Sequence, residues 1–293
     1  MAGTDRALPG GSQGPRTRNR VGYRVEKPFA GSHDFGPGKG LRRLRSNAVD
    51  DDPRDRRLAM TRYESRDGRL RLFRGDSHRL HPITTGSVGV ILTSPPYWVR
   101  GRGRPSAERY AHDLAVGFGR EWKRVLAPDG DLWLVIGDRH DGAEWVGMDA
   151  LVTGWLRRTG WRLQSRGFWA QTRSRERWDN RVNYLLRFRK VGQIVRPRGT
   201  TLCWMLPLPR SHPDSIWDAI PEPVVRTALE GSKKRGPVLD PFAGAGTVGR
   251  VAASLGREWV GVERDPRMAL VTARRLQLRR VRASLSDRRR AAQ

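Results

Sequence analysis

The sequence predicts an α/β protein built on a mostly parallel sheet with helices on both faces. Two observations carry that expectation. Short, uninterrupted apolar runs such as Val88–Leu92 and Leu132–Ile136 suit strands buried on both faces. Between such runs lie stretches with apolar residues at helical spacing, joined by short Gly- or Pro-containing turns.

The elements follow in order. Residues 1 to about 60 are dense in Gly, Pro and Arg, and Gly36-Pro37-Gly38 and Asp50-Asp51-Asp52-Pro53 break any periodicity. With too little apolar surface to offset chain ordering, residues 1–62 read as a flexible basic arm. Leu70, Leu72 and Phe73 form a short strand that leads into Gly75-Asp76. The run Val88–Leu92 stops at Thr93-Ser94-Pro95-Pro96-Tyr97-Trp98. Leu114, Phe118, Trp122, Val125 and Leu126 repeat with a helical period, and Pro128-Asp129-Gly130 turns the chain into the strand Leu132–Ile136. Met148 to Leu156 reads as a helix closed by Gly160, and Phe168 to Phe188 as two strands around an Arg-rich connection. A helix over Pro223–Leu229 precedes the strand Pro237–Asp240. The loop Pro241–Gly246 opens a helix from Thr247 to about Leu255, and the strand Glu258–Val262 is tipped by Glu263. Arg264 to Leu285 reads as one basic helix, followed by a charged tail at 286–293.

Of 293 residues, 57 are Lys or Arg and 30 are Asp or Glu, a formal net charge of +27. Only 6 of the basic residues are Lys, a skew that a GC-rich genome alone can produce. Whatever its origin, a positive field attracts phosphate, and binding a polyanion releases counterions; nucleic acid is therefore the expected partner. The one cysteine, Cys203, excludes a disulfide framework and a Cys-based zinc cluster. The 6 histidines lack metal-ligand spacing, so no metal is expected. The apolar runs fall short of the roughly 18 residues a membrane helix needs. No charged-then-apolar leader opens the chain, and a cytoplasmic protein is expected.

Two loops carry chemistry. In the first, Ser94-Pro95-Pro96-Tyr97 directly follows a buried strand. The prolines fix the backbone and remove two N–H donors, so their carbonyls are expected to face outward as unpaired acceptors beside a hydroxyl and an aromatic ring. Such a set can hold a planar ring and bond its exocyclic amine; the plainer alternative is a strand-ending turn with Tyr97 in the core. In the second, Asp240-Pro241-Phe242-Ala243-Gly244-Ala245-Gly246-Thr247 runs from a strand into a helix N-terminus, where glycines admit a ligand to free backbone N–H groups. Glu263 tips the next strand, 19 residues after Gly244, a spacing suited to ribose hydroxyls. Gly249 comes one position early for the pyrophosphate pattern, so an adenosyl ligand without pyrophosphate fits better than a dinucleotide.

Taken together, Thr93–Trp98 and the later Asp240–Thr247 resemble the S-adenosylmethionine-dependent amino-methyltransferases of DNA, with the catalytic loop first and the cofactor loop last, as in their β group. Gly75-Asp76, Arg124–Gly130, Gly137-Asp138 and Gly261-Val262-Glu263 agree, and the resemblance spans about residues 69–278. Ser94, where adenine enzymes usually carry Asp, resembles the cytosine-N4 branch, though a Ser-type loop does not bar adenine. The resemblance implies a Rossmann-like methyltransferase fold with permuted motif order over 63–285: a catalytic half at 69–190, a short recognition insert at 191–211 and a cofactor half at 212–280. It implies that Glu263 binds the ribose of S-adenosylmethionine, that Asp240, Phe242, Gly244, Ala245, Gly246 and Thr247 line the remainder, and that Asp76 lies near the adenine amine. Ser94 and the Pro95 carbonyl would accept from the cytosine amine. Tyr97, on the loop held by Pro96, would stack on a base flipped out of double-stranded DNA.

The insert is short, so base reading is expected to be limited and phosphate contacts to dominate. Trp98 at the cleft rim and Arg100, Arg102, Arg104, Arg173, Arg175 and Arg177 are the candidate DNA contacts; solvated loops in an Arg-biased chain are the alternative. Trp133, Trp155 and Trp259 are expected in the core. Adenine-N6 methylation, an RNA substrate and a non-catalytic nucleic-acid-binding protein stay open, as does an accompanying restriction endonuclease.

Overall fold

The apolar runs of the sequence form the middle strands of a single sheet. The computed structural model describes residues 61–281 apart from 100, 102, 139, 142–143, 173–180, 193–201, 208–219, 233 and 235. The arm up to residue 60, the tail at 286–293, and Arg100, Arg102, Arg173, Arg175 and Arg177 lie outside the described residues. Among the described residues no helix is long and apolar enough to cross a membrane.

In chain order the strands are β1 Thr61–Glu64, β2 Leu70–Arg74, β3 Val88–Thr93, β4 Leu126–Gly137, β5 His140–Asp141, β6 Glu144–Trp145, β7 Trp161–Thr172, β8 Arg181–Lys190, β9 Leu202–Pro207, β10 Val238–Asp240, β11 Trp259–Glu263 and β12 Arg279–Val281. The helices are α1 Ala107–Asp113, α2 Gly119–Val125, α3 Met148–Arg158, α4 Glu222–Glu230, α5 Thr247–Ser254 and α6 Pro266–Arg275. β5 and β6 pair only with each other; the other strands lie in the order β12-β1-β2-β11-β10-β3-β4-β8-β7-β9. The run β2-β11-β10-β3-β4 is parallel throughout. β8 runs antiparallel to β4 and to β7, and β9 adds in parallel to β7, inside the span read as an insert.

Side chains alternate between the two faces of this sheet. Ile91, Leu132, Leu134 and Ile136 pack with Trp122 and Val125 of α2 and Val152 and Leu156 of α3. Val90, Leu92, Trp133 and Val135 point the other way, onto Val224 and Leu229 of α4, Val248 and Val251 of α5 and Ala269 of α6. Burying each such branched side chain contributes about 1.5–3 kcal/mol, which is why both faces need a helical layer. Trp133 and Trp259 lie in this core as expected. Trp155 is only partly buried, with its Nε1 donating to Glu108 at 2.6 Å and the Arg158 guanidinium 4.7 Å from its ring centre.

Midway along β4, where the strand rejoins β3 after a bulge, Asp131 is fully buried. It accepts from Arg187 Nε at 3.0 Å and Nη2 at 2.9 Å, and from Arg189 Nε at 2.7 Å. Pairing with β3 jumps from Leu126 opposite Val88 to Asp131 opposite Val90, so Pro128-Asp129-Gly130 bulge out of the ladder as the turn signal predicts.

Two helix predictions are corrected. The basic helix ends at Arg275 instead of continuing to Leu285. Gln277 takes φ +53, with Leu278 N–H donating to the Ala273 carbonyl at 2.8 Å and Gln277 N–H to Arg274 at 3.1 Å. That is a Schellman stop with Gln where glycine is usual, after which β12 pairs with β1. The helix expected from Leu114 begins earlier, at Ala107, capped by the Ser106 hydroxyl accepting from Arg109 N–H at 3.1 Å. Between α1 and α2 it passes through a π turn, Leu114–Phe118.

Candidate active site

Parallel strands send their carboxyl ends to one side of the sheet, and there β2, β3, β10 and β11 release the loops of interest. They enclose a cavity of about 850 Å3. Ser94, Pro95, Pro96 and Tyr97 line it from the loop after β3. Asp240, Phe242, Gly244, Ala245, Thr247 and Glu263 line it from the loops after β10 and β11, joined by Asp76 after the neighbouring β2. The two loops therefore meet across one cleft, as the sequence reading requires.

The second loop is tightly specified. Gly244 and Gly246 take φ +51 and +79, conformations that cost a side-chain-bearing residue strain. A Cβ on Gly246 would lie 2.8 Å from Thr272 Cγ2 of α6, so the turn also needs the missing side chain to reach α5. Glu263 is held by its two oxygens, Oε2 accepting from Gly244 N–H at 2.8 Å and Oε1 from Asp265 N–H at 2.8 Å. Its carboxylate is thus fixed beside the glycine turn and at the cavity wall. Asp240 is 3% exposed and accepts from the Thr93 hydroxyl at 2.7 Å and Phe242 N–H at 3.2 Å. Burial pushes its carboxyl up to about 7, the Glu263 charge adds to the rise, and the two hydrogen bonds oppose it.

The apolar wall is aromatic. Phe242 meets Phe118 of the π turn edge-on, with ring centres 5.0 Å apart, and Phe118 stacks on His78 at 3.7 Å. His78 in turn bonds Asp76 through N–H at 3.0 Å and Nδ1 at 2.8 Å. A flat apolar slot ending on a carboxylate suits a planar heterocycle with an exocyclic amine. The Gly244 and Gly246 N–H groups, expected free, are instead taken by Glu263 and by the Ala243 carbonyl, each at 2.8 Å, so the slot and the fixed acid are what fit an adenosyl ligand.

In the first loop, Ser94 Oγ and the Pro95 carbonyl have no hydrogen-bond partner among the described residues. The Pro96 carbonyl differs from expectation: it accepts from the Tyr110 hydroxyl at 2.6 Å, so only one of the two proline carbonyls is open. Burial, with Tyr97 close by, pushes the Tyr110 phenol well up, which keeps it a donor. Trp98 also needs correction. It is 5% exposed within the α2–α3 core, and its Nε1 donates to the Pro105 carbonyl at 2.9 Å. It braces the loop from beneath and cannot stack at the rim. Arg104 is exposed beside the cleft, on the same loop as the lining residue Pro105.

Several contributors escape sequence reading. Tyr110, Phe118, Asn183, and Ser77, whose hydroxyl donates to the Pro241 carbonyl, carry no local motif. The π turn that displays Phe118 has no composition of its own. Among the described residues no group of three or more His, Cys, Asp or Glu side chains could hold a metal ion.

Comparison with known proteins adds independent observations. The N6_N4_Mtase family, described as DNA methylase, matches residues 199–274. The type II methyltransferase M.XycI of Xanthomonas campestris pv. cyanopsidis is 29% identical over 266 residues, covering 70% of this chain and 87% of the relative. M.Cfr9I of Citrobacter freundii is 27% identical with the same coverage. TTHA0409 of Thermus thermophilus, described as a DNA modification methylase and solved with S-adenosyl-L-methionine, superposes with a TM-score of 0.56 at 25% identity, over 69% of this chain and 92% of that one. The PvuII cytosine-N4-specific DNA methyltransferase reaches 0.61 at 16% identity, over 80% and 94%, a likeness of fold alone. The sheet and its helical layers are those of DNA methyltransferases.

Proposed function

We propose that this chain is an S-adenosylmethionine-dependent DNA methyltransferase of the N6/N4 class and that, of the two base amines open to such an enzyme, it methylates the exocyclic N4 of cytosine. The observation that carries the choice is Ser94: a hydroxyl, not a carboxylate, stands with the open Pro95 carbonyl in the cleft that also holds Glu263. S-adenosylmethionine, when bound, supplies an electrophilic methyl group on a sulfonium.

The chain's own residues do the rest. A cytosine amine conjugates its lone pair into the ring and is a poor nucleophile. Ser94 Oγ and the Pro95 carbonyl would accept its two N–H bonds and draw them out of the ring plane, so that the lone pair leaves conjugation and localises on nitrogen, and the surplus proton of the alkylated amine leaves to solvent. Those bonds strengthen as the nitrogen becomes positive, so they stabilise the transition state more than the ground state. Tyr97 covers the ring face of the extruded base, and proximity supplies the remainder. Glu263 accepts from the ribose hydroxyls, with Asp76, Phe118 and Phe242 around the adenine and Asp240 facing the charged end. The excess of Arg and the exposed Arg104 bind DNA through phosphate.

The deciding experiment incubates the protein with unmethylated DNA, digests the product to nucleosides and weighs them. N4-methylcytosine supports the reading; N6-methyladenine replaces it with the adenine alternative; neither, despite cofactor binding, leaves a non-catalytic binder.

Two further results are expected. Glu263→Ala weakens S-adenosylmethionine binding by about 10–100-fold, the range for a lost charge-assisted hydrogen bond, and leaves DNA affinity in place; calorimetry with each ligand checks the ordering. Asp240 gives a pH signature. Its proton is held up to about 7, and a neighbouring cation favours the ionised form, so sulfonium affinity rises as pH climbs through 7 and then levels. The neutral thioether product lacks that dependence, and Asp240→Asn removes it for the sulfonium. For the cofactor-free fold the sign is opposite. The native state holds this proton more tightly than the unfolded chain, so the Asp240 contribution to stability declines between about pH 4 and 7.

A further inference from the structure

We infer that Asn183 is a positioning residue that fixes the ring of Tyr97 before a base arrives, an assignment that rests on the reading of Tyr97 as the base-stacking side chain. Asn183 lies on β8 directly opposite Gly137, the last residue of β4, and is 3% exposed. Its Oδ1 accepts from the Tyr97 hydroxyl at 3.0 Å across 86 residues of chain. A Cβ placed on Gly137 would stand 2.7 Å from Tyr97 Cε1 and 2.8 Å from Asn183 Oδ1. Glycine at this position therefore vacates the place where ring and amide meet.

Three constraints then act on one ring. Pro95 and Pro96 set the backbone that carries it, the open Cα of Gly137 forms its floor, and the buried amide holds its hydroxyl edge. A tyrosine free to rotate in an open cleft loses side-chain freedom each time a base stacks on it. One already held loses little, and base capture gains accordingly. The same pairing explains a buried asparagine beside the cleft, where an apolar residue would pack at less cost in desolvation. Asn183 touches the tyrosine and not the reacting atoms, so it acts through Tyr97.

The test is a double-mutant cycle on the full chain with unmethylated plasmid DNA and radiolabelled S-adenosylmethionine. Asn183→Leu and Tyr97→Phe are each expected to lower kcat/KM for DNA by about three- to tenfold, as for one neutral hydrogen bond, with the Kd for S-adenosylmethionine unchanged. The double variant should be no worse than either single, because both remove the same bond. Asn183→Asp, which still accepts from the phenol, should recover most of the loss. Losses that multiply in the double variant overturn the assignment, as does a lowered Tm with no coupling. If Asn183→Leu does not fold, Tyr97→Phe with unchanged kcat/KM overturns it alone. Wild-type protein that binds the cofactor and methylates no DNA overturns the functional reading instead, a separate outcome.

Discussion

Ser94→Ala is expected to lower kcat by about 10²-fold or more while S-adenosylmethionine binds as before. The argument is differential stabilisation. In the ground state the amine N–H bonds are weakly acidic donors, and the Ser94 hydroxyl can be replaced by water with little loss. As the nitrogen gives up its lone pair its protons become strongly acidic, and a preorganised acceptor inside a cleft matters most at that moment; removing one such partner in other enzymes costs about 10²–10³-fold. Ser94 makes no hydrogen bond to the described residues, so its loss leaves the fold and the Tm in place. Single-turnover rates at saturating DNA check this, and a rate within about twofold of wild type would remove Ser94 from the chemistry.

Asp131→Ala should be the most destabilising single substitution in the sheet. It strips a fully buried carboxylate from two arginines whose side chains are only 21% and 12% exposed. Arg187 also lies over the Trp133 ring at 5.3 Å, so it has packing that holds it in place after its partner is gone. Two guanidinium charges are then left facing each other with little water. Breaking a buried pair from one side costs about 3–5 kcal/mol, a large share of the roughly 5–15 kcal/mol that holds a domain together. Urea unfolding gives the measurement. A loss below about 1 kcal/mol would mean that the arginines swing out to solvent, and that this network behaves like an exposed one.

What could be read from the residues alone was what is local. Val88–Thr93 and Leu126–Gly137 announce themselves because strands buried on both faces must be apolar throughout. The two loops are legible because proline and glycine leave chemical marks at the positions where backbone is special. Their meeting in one cavity follows from strand direction, without knowledge of side chains. Contacts made by distant residues could not be read. Nothing near Asn183 signals that it bonds Tyr97, and nothing near Tyr110 signals that it occupies the Pro96 carbonyl. Beside Tyr97, Trp98 reads as a rim residue, yet its own indole turns inward to Pro105. β12 misled for a different reason. Arg279-Arg280-Val281 is exposed at the sheet edge, so neither burial nor alternation marks it as strand, and Gln277 stops the preceding helix without the usual glycine.

The position of β10 and β11 between β2 and β3 has a consequence for synthesis. Thr93 and Asp240, joined by one hydrogen bond, are 147 residues apart, so a nascent chain on the ribosome carries β3 with a bare edge until late in translation. Contacts that close so long a loop form slowly. An N-terminal fragment ending before Val238 has the first loop but nothing to set it against. Truncation there should yield an aggregation-prone species, not a weakened enzyme.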